Sequence, residues 1–246
     1  MAQAVEVRGF TFGYTDTGAV LTDITLSIEH GEKVALIGPN GAGKSTLLLA
    51  MSVFIQGSGT ILIDGIEATR KNAKEVRSVI GSVLQNPDEQ LFMPTLFEDV
   101  AFGPMNMGLS RQEVVARSMR AIATVGLAGM EDRPPHHLSA GQKRAAAVAT
   151  ILSMSPKIIT MDEPDTSLDP RSRNNLIALL ASLEQTFIIA TCSMEFAAAL
   201  CSRAILIDGG RVIADGPAAL VMSDAELMRA HGLETPAAFR DRSPNH

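Results

Sequence analysis

Cysteine is scarce in this 246-residue chain: Cys192 and Cys201 are the only two. They form no CxxC pair and cannot build a zinc site by themselves. No signal peptide is legible at the N-terminus, so both are expected to be reduced thiols of a cytosolic protein. Long apolar runs are missing as well. The most apolar late stretch, Leu176 to Ala204, is broken by Glu184, Gln185, Glu195 and Arg203, and nothing reaches the ~18–20 residues of a membrane span. Work at a membrane would require another protein to cross it. Basic charge is short: 21 Lys and Arg against 27 Asp and Glu leave a net charge of −6. That balance argues against non-specific nucleic-acid binding, and no nucleic-acid partner is expected. There is one tyrosine, Tyr14, and neither an internal repeat nor a low-complexity tract.

What is present suits a globular protein. Hydrophobic residues make up 46% and charged residues 20%, near the average, and the length allows one large domain or a core with a subdomain. Short β-like runs open the chain at Ala4–Phe10 and Leu21–Ile28, and short turns between them predict antiparallel pairing. Lys33–Gly38 is apolar on consecutive positions, as a strand buried on both faces would be. Ser45–Phe54 reads as the helix after it. Further strand-like runs lie at Thr60–Ile63, Val79–Leu84, Lys157–Met161, Thr186–Ala190 and Ala204–Ile207. Strands and helices in alternation indicate an α/β fold with a mostly parallel sheet. Between Asn86 and Leu152 no strand-like run occurs and helix formers dominate Arg111–Leu127, which predicts a helical insertion. Residues 231–246 are expected to form a polar, disordered tail.

Three motifs carry chemistry. Gly38-Pro39-Asn40-Gly41-Ala42-Gly43-Lys44-Ser45-Thr46 fits GxxxxGK[ST] between an apolar strand and a helix. Its glycines let backbone N–H groups curl around phosphates, Lys44 reaches the β- and γ-phosphates, and Ser45 ligates Mg²⁺. Ile158-Ile-Thr-Met-Asp162-Glu163 ends a buried strand in two carboxylates. Asp162 is placed to hold Mg²⁺ and Glu163 to polarise an attacking water. Leu138-Ser139-Ala140-Gly141-Gln142 opens an alanine-rich helix, with Ser139 as N-cap and the next backbone N–H groups free for an anion. The adjacent His136 and His137 lack the i, i+3 or i, i+4 spacing that converges on one metal ion.

Taken together, the three motifs and the insertion resemble the ATP-binding cassette (ABC) ATPases over nearly the whole chain, Val5 to Gly216. The resemblance implies a P-loop NTPase of α/β class. Its parts would be a RecA-like core over 1–85 and 153–230, an N-terminal antiparallel β subdomain and an α-helical subdomain over 86–152. Together they would form one nucleotide-binding domain over 1–230. ATP and Mg²⁺ are the implied cofactors. The implied partner is a second cassette subunit, identical or not, arranged head to tail. Ser139, Ala140, Gly141 and Gln142 of one subunit would then meet the γ-phosphate held by Gly38–Thr46 of the other. Tyr14 falls where the family stacks an aromatic on adenine, although a lone aromatic serves equally well as core. Gln85 matches the glutamine that reads Mg²⁺ and the attacking water, and Asp169 the aspartate that communicates across the dimer.

The stretch Gln85–Leu109, QNPDEQLFMPTLFEDVAFGPMNMGL, resembles the energy-coupling-factor (ECF) importers, especially those for cobalt and nickel ions; HHLSAGQKR, His136 to Arg144, supports the same subfamily. In that group Gln85–Leu109 leads into the surface that grips a transmembrane coupling protein. The implied function is ATP hydrolysis energising import, with that coupling protein and a substrate-binding membrane protein as partners, at the cytoplasmic face of the membrane. A vitamin importer, for biotin for example, or another ABC transporter stays open, because a cassette does not touch the solute. Soluble cassettes acting on ribosomes or DNA usually carry two cassettes in one chain or a long coiled-coil insertion, and neither is present.

Three positions depart from the family pattern. Cys192, between Thr191 and Ser193, stands where a histidine contacts the γ-phosphate, and a thiol is a poor donor. Ala140 replaces a glycine, which matters only if the position needs φ > 0. Asp165 adds a carboxylate close to Glu163, which would raise the proton affinity of Glu163 or weaken anion binding. The expectation is ATP binding with slow hydrolysis, unless Cys192 is merely a tolerated small residue with water beside it. A hydrolysis-poor cassette acting as an ATP-gated interaction protein is the reading from another class.

Overall fold

A computed structural model of the protein describes residues 3–15 and 18–240. Strands β1 (Gln3–Tyr14) and β2 (Gly18–Glu29) pair antiparallel. The apolar positions of β2 are 21, 24, 26 and 28, so the period of two is broken once. A bulge resolves the break: Asp23 takes φ 54 and donates its N–H to Thr11 Oγ1 at 3.0 Å. The extra residue lets both Leu21 and Ile24 point inward, where each is fully buried.

Next come β3 (Lys33–Ile37), α1 (Lys44–Met51), β4 (Ser58–Ile63), β5 (Ile66–Glu67), α2 (Ala73–Val79) and β6 (Ile80–Val83). Helix α1 was expected to run to Phe54 and stops at Met51. Val53 turns to φ 58, and Arg77 donates to the carbonyls of Ser52 and Val53 at 3.1 and 3.0 Å, satisfying groups a longer helix would have used. Between 86 and 152, among the described residues, lie α3 (Leu96–Asn106), α4 (Arg111–Thr124), α5 (Ala140–Leu152) and two short 3-10 turns, with no strand. Each helix starts in a capping box: Thr95 with Glu98, Ser110 with Glu113, Ser139 with Gln142. Helix α4 ends before Gly126, whose φ of 76 suits a left-handed stop.

The chain continues through β7 (Ile158–Asp162), α6 (Pro170–Ser182), β8 (Thr186–Thr191), α7 (Met194–Leu200), β9 (Arg203–Asp208), β10 (Arg211–Pro217), α8 (Ala218–Ser223), α9 (Ala225–Ala230) and α10 (Ala237–Arg240). Two sheets result, in the orders β2-β1-β4-β5 and β10-β9-β3-β8-β7-β6. The larger is parallel from β9 to β6, with β10 antiparallel on its edge. One apolar cluster fills the space between the sheets around α1, and a second covers the other face of the large sheet beneath α5 to α8. A third joins α3, α4 and α5. Burying a side chain such as Phe187, Phe196 or Leu47 contributes roughly 1.5–3 kcal/mol, so these layers hold the frame from which the loops project.

The expectation of a tail from residue 231 needs correction. His231 Nδ1 lies 2.7 Å from Asp208 Oδ2, Leu233 and Phe239 pack on the second cluster, and Ala237 N–H donates to Glu195 Oε1 at 2.6 Å. Apolar residues at 233 and 239 pin a segment whose prolines and charges had suggested solvent. Residues 241–246 lie outside the described residues.

Candidate functional site

Strands β3, β7 and β8 are neighbours in the parallel sheet, so their carboxyl ends share one edge. From β3 leaves the loop Gly38–Gly43, and α1 follows directly. Gly38 has φ 150, and a Cβ there would stand 2.0 Å from the Ile207 carbonyl oxygen. Gly43 has φ 104, and its Cβ would strike Leu21 Cδ2 at 2.6 Å. Both positions require glycine on two counts, backbone and space. No side chain caps α1, which leaves its first N–H groups for an anion. Lys44, almost fully buried, folds back to donate to the carbonyls of Gly38 and Pro39 at 2.7 and 3.0 Å.

From β7 come Asp162 and Glu163. Asp162 Oδ1 is buried without a hydrogen-bond partner among the described residues. Burial pushes its carboxyl pKa up and the neighbouring Glu163 adds to this, while the Ser45 hydroxyl and Lys44 ammonium oppose it. An orphaned carboxylate oxygen beside a serine hydroxyl is a donor set that fits a hard cation such as Mg²⁺. Glu163 sits at φ 43, a left-handed backbone unusual for a non-glycine residue. Its N–H donates to the Ala190 carbonyl at 2.8 Å.

From β8 comes the third component. The N–H of Cys192 donates to Glu163 Oε1 and Oε2 at 2.9 and 3.2 Å, and the Thr191 hydroxyl lies 3.4 Å from Oε2. The thiol points at the loop, with Sγ 3.2 Å from Asn40 Oδ1 and 3.3 Å from Lys44 Nζ. Burial raises the thiol pKa and Glu163 raises it further, against the pull of Lys44. Position 192 thus touches both the phosphate loop and the carboxylate. Sequence reasoning identified the residue and missed the contact with Asn40, which spans 152 positions.

Other expected residues lie around this centre or apart from it. Tyr14 is 44% exposed, edge-on to Phe12 at 4.9 Å between ring centroids; Phe12 pairs with Leu21, the residue over Gly43. Gln85 follows β6 and is exposed. Ser139, Gly141 and Gln142 line a separate cleft of ≈ 480 Å³ with Asp169 and Ser172. The phosphate loop instead borders a cleft of ≈ 420 Å³ shared with Cys192 and the segment 232–236. Ala140 lies inside helix α5 and is not among the residues at positive φ, so it needs no glycine. Asp165 faces Arg173 at 3.6 Å, which offsets its charge.

Comparison with known proteins identifies the family. The ABC transporter family model matches residues 21–166. A Streptomyces coelicolor protein named as an ABC transporter ATP-binding protein is 46% identical over 241 residues, covering 98% of this chain and 93% of that one. The energy-coupling factor transporter ATP-binding protein EcfA of Methanocaldococcus jannaschii is 42% identical over 238 residues, covering 94% of this chain and 85% of its own. Among solved structures, cbiO1 from Clostridium perfringens, part of the ABC transporter complex cbiONQ, superposes with a TM-score of 0.84. It is 34% identical, and 94% of each chain is covered.

Proposed function

This chain belongs to the ABC transporter family as an ATP-binding subunit of the energy-coupling-factor type, and from that premise we propose that it hydrolyses ATP to energise a metal-ion importer of the cobalt or nickel class. The observation that carries the hydrolytic part is the meeting of Lys44, Asp162, Glu163 and Cys192 at one edge of the sheet. In this reading Gly38–Thr46 bind the phosphates, Tyr14 stacks on adenine, and Ser45, Asp162 and Gln85 hold Mg²⁺. The ion supplies neutralisation of charge on the phosphate oxygens. Glu163 orients water, its carboxylate fixed by the Cys192 N–H. Ser139, Gly141 and Gln142 face a cleft away from the phosphate loop of their own chain, which supports the segment Ser139–Gln142 acting on ATP held by a second cassette subunit.

The import part rests on likeness to cbiO1 and on an exposed apolar patch. Phe92 is 61% exposed, edge-on to Phe102 at 5.1 Å, and Met105 is 63% exposed. Met107 and Met119 are also exposed. Such a patch suits a membrane coupling protein, and no helix of the described residues is long and apolar enough to cross a membrane itself. Work at the cytoplasmic membrane face follows from this reading. Cys192 favours slow turnover, because a thiol with a raised pKa offers the γ-phosphate no strong donor.

The test is Glu163→Gln in vesicles carrying the assembled transporter. Hydrolysis is expected to fall by about 10²–10⁴-fold with ATP binding kept, and uptake of cobalt or nickel ions to stop. Unchanged hydrolysis would remove Glu163 from the mechanism. ATP-driven uptake of a vitamin in place of the metal would replace the cargo.

A further inference from the structure

Arg144 is 2% exposed, and among the described residues no carboxylate bonds it directly, although the charge of Asp165 acts on it. Its guanidinium forks onto two successive peptide carbonyls: Nη1 donates to Leu84 O and Nη2 to Gln85 O, each at 2.7 Å. Nε has no partner. A buried cation spent on backbone oxygens is costly, and an apolar side chain of the same volume would pack more cheaply. A second link reaches the same place from the other side. The Leu84 N–H donates to Gln90 Oε1 at 3.0 Å, and Gln90 Nε2 donates to Ala147 O and Thr150 Oγ1 at 2.9 and 2.7 Å. Both Arg144 and the two acceptors of Gln90 stand on α5. Three backbone groups, the Leu84 N–H and the carbonyls of Leu84 and Gln85, are therefore tied to that helix. Its first turn is Ser139–Gln142.

We infer that Arg144 is a positioning residue which fixes the backbone at Gln85 to helix α5, so that Gln85 and the segment Ser139–Gln142 move as one body. The inference rests on the functional reading above, in which Gln85 serves the chain's own ATP and Ser139–Gln142 the ATP of the second subunit. Arg144 then mechanically joins two nucleotide sites within one chain. When the second subunit's phosphate draws Ser139–Gln142 inward, the same displacement carries Gln85 toward its own site. Lysine would substitute only in part, since its ammonium lacks the planar fork with which arginine meets both carbonyls in fixed geometry. Lys143, bonded to Asp88 Oδ1 at 2.6 Å on the surface, adds a weaker tie between the same two segments.

The test uses the full chain with Mg·ATP and two variants, Arg144→Met and Gln90→Leu, with Arg144→Lys as the conservative comparison. Hydrogen exchange read by mass spectrometry is expected to speed up over residues 84–90 by about tenfold, the worth of one hydrogen bond, while 139–152 keeps its protection. The kcat for ATP should fall by up to about 10²-fold, the cost of a misplaced group, with affinity for a fluorescent ATP analogue unchanged and Arg144→Lys intermediate. Unchanged kcat in both Arg144→Met and Gln90→Leu overturns the inference. So does a loss of analogue affinity and melting temperature in step with kcat, because that marks a merely structural role. If Arg144→Met does not fold, Gln90→Leu decides alone. Should the wild-type chain bind ATP without hydrolysing it, the hydrolytic reading fails separately, and the exchange measurement still decides whether the two segments are joined.

Discussion

The backbone N–H of Cys192 holds the carboxylate of Glu163 by both oxygens, at 2.9 and 3.2 Å, while its thiol faces away toward Lys44. The two halves of one residue thus serve different parts of the site. A side chain exchanged at 192 leaves the N–H grip on Glu163 in place, while it changes what meets the phosphate and removes the thiol that lies within the influence of Glu163.

Cys192→His is therefore expected to raise single-turnover ATP hydrolysis, by up to about 10²-fold if a γ-phosphate donor is what the site lacks, without tightening ATP binding in proportion. Rapid-quench measurement on the assembled transporter reads this directly. An unchanged rate would show that the missing histidine is not limiting.

The two thiols should differ in reactivity. Burial pushes the Cys201 thiol up to about 12 and leaves it out of reach of solvent, whereas Cys192 is half-buried at the mouth of the phosphate loop. N-ethylmaleimide is expected to label Cys192 alone, slowly because its pKa is also raised. ATP should protect it, and the labelled protein should no longer bind ATP, since the adduct would occupy the space beside Lys44. Peptide mass spectrometry with and without nucleotide checks both statements.

Asp162 carries a raised pKa, chiefly from burial. A carboxyl whose folded pKa exceeds its unfolded value contributes stability below the ordinary value of 3.8 and loses it as pH rises through the folded pKa. At neutral pH, without Mg²⁺, the ionised group is a cost. Asp162→Asn should then melt higher than wild type at pH 7, with the difference closing as pH falls toward the ordinary carboxylate value, and should lose the Mg²⁺ dependence of ATP binding. Thermal melts across pH, without nucleotide, would overturn this if the gap widened in acid.

Gly141 packs against Ser172 so closely that an added Cβ would meet Oγ at 2.6 Å and Cβ at 2.9 Å. Rotating the hydroxyl relieves only the first clash, and it breaks the bond from Ser172 Oγ to Asp169 Oδ2 at 2.7 Å. Gly141→Ala is expected to cost about 1–3 kcal/mol of stability. Ser172→Gly in the same chain should restore part of it, a coupling that denaturant melts of the double-mutant cycle measure.

Contiguous features were legible in the sequence. The phosphate loop and Asp162–Glu163 each occupy neighbouring positions, and five apolar runs announced β4, β6, β7, β8 and β9 to within two residues. Elements without an apolar run escaped. Strand β10 forms the sheet edge and has no buried residue, and α2 buries only Val76. The contacts Cys192–Asn40 and Arg144–Gln85 join positions 152 and 59 residues apart, so no local pattern encodes them. Residues 231–240 misled for the opposite reason. Their composition is that of solvent-exposed chain, but Leu233 and Phe239 suffice to anchor them.

The bulge at Asp23 gives the protein an asymmetry between two single-codon deletions. Deleting Asp23 would remove the extra residue and leave Leu21 and Ile24 two apart on one face, whereas deleting Thr25, just beyond the bulge, would turn Ile24 and Leu21 to the opposite face of the sheet. Leu21 is the residue that closes over Gly43. Losing the Thr25 codon in a distant hairpin would thus unroof the phosphate loop, a lesion that substitutions at the same codon would not reproduce.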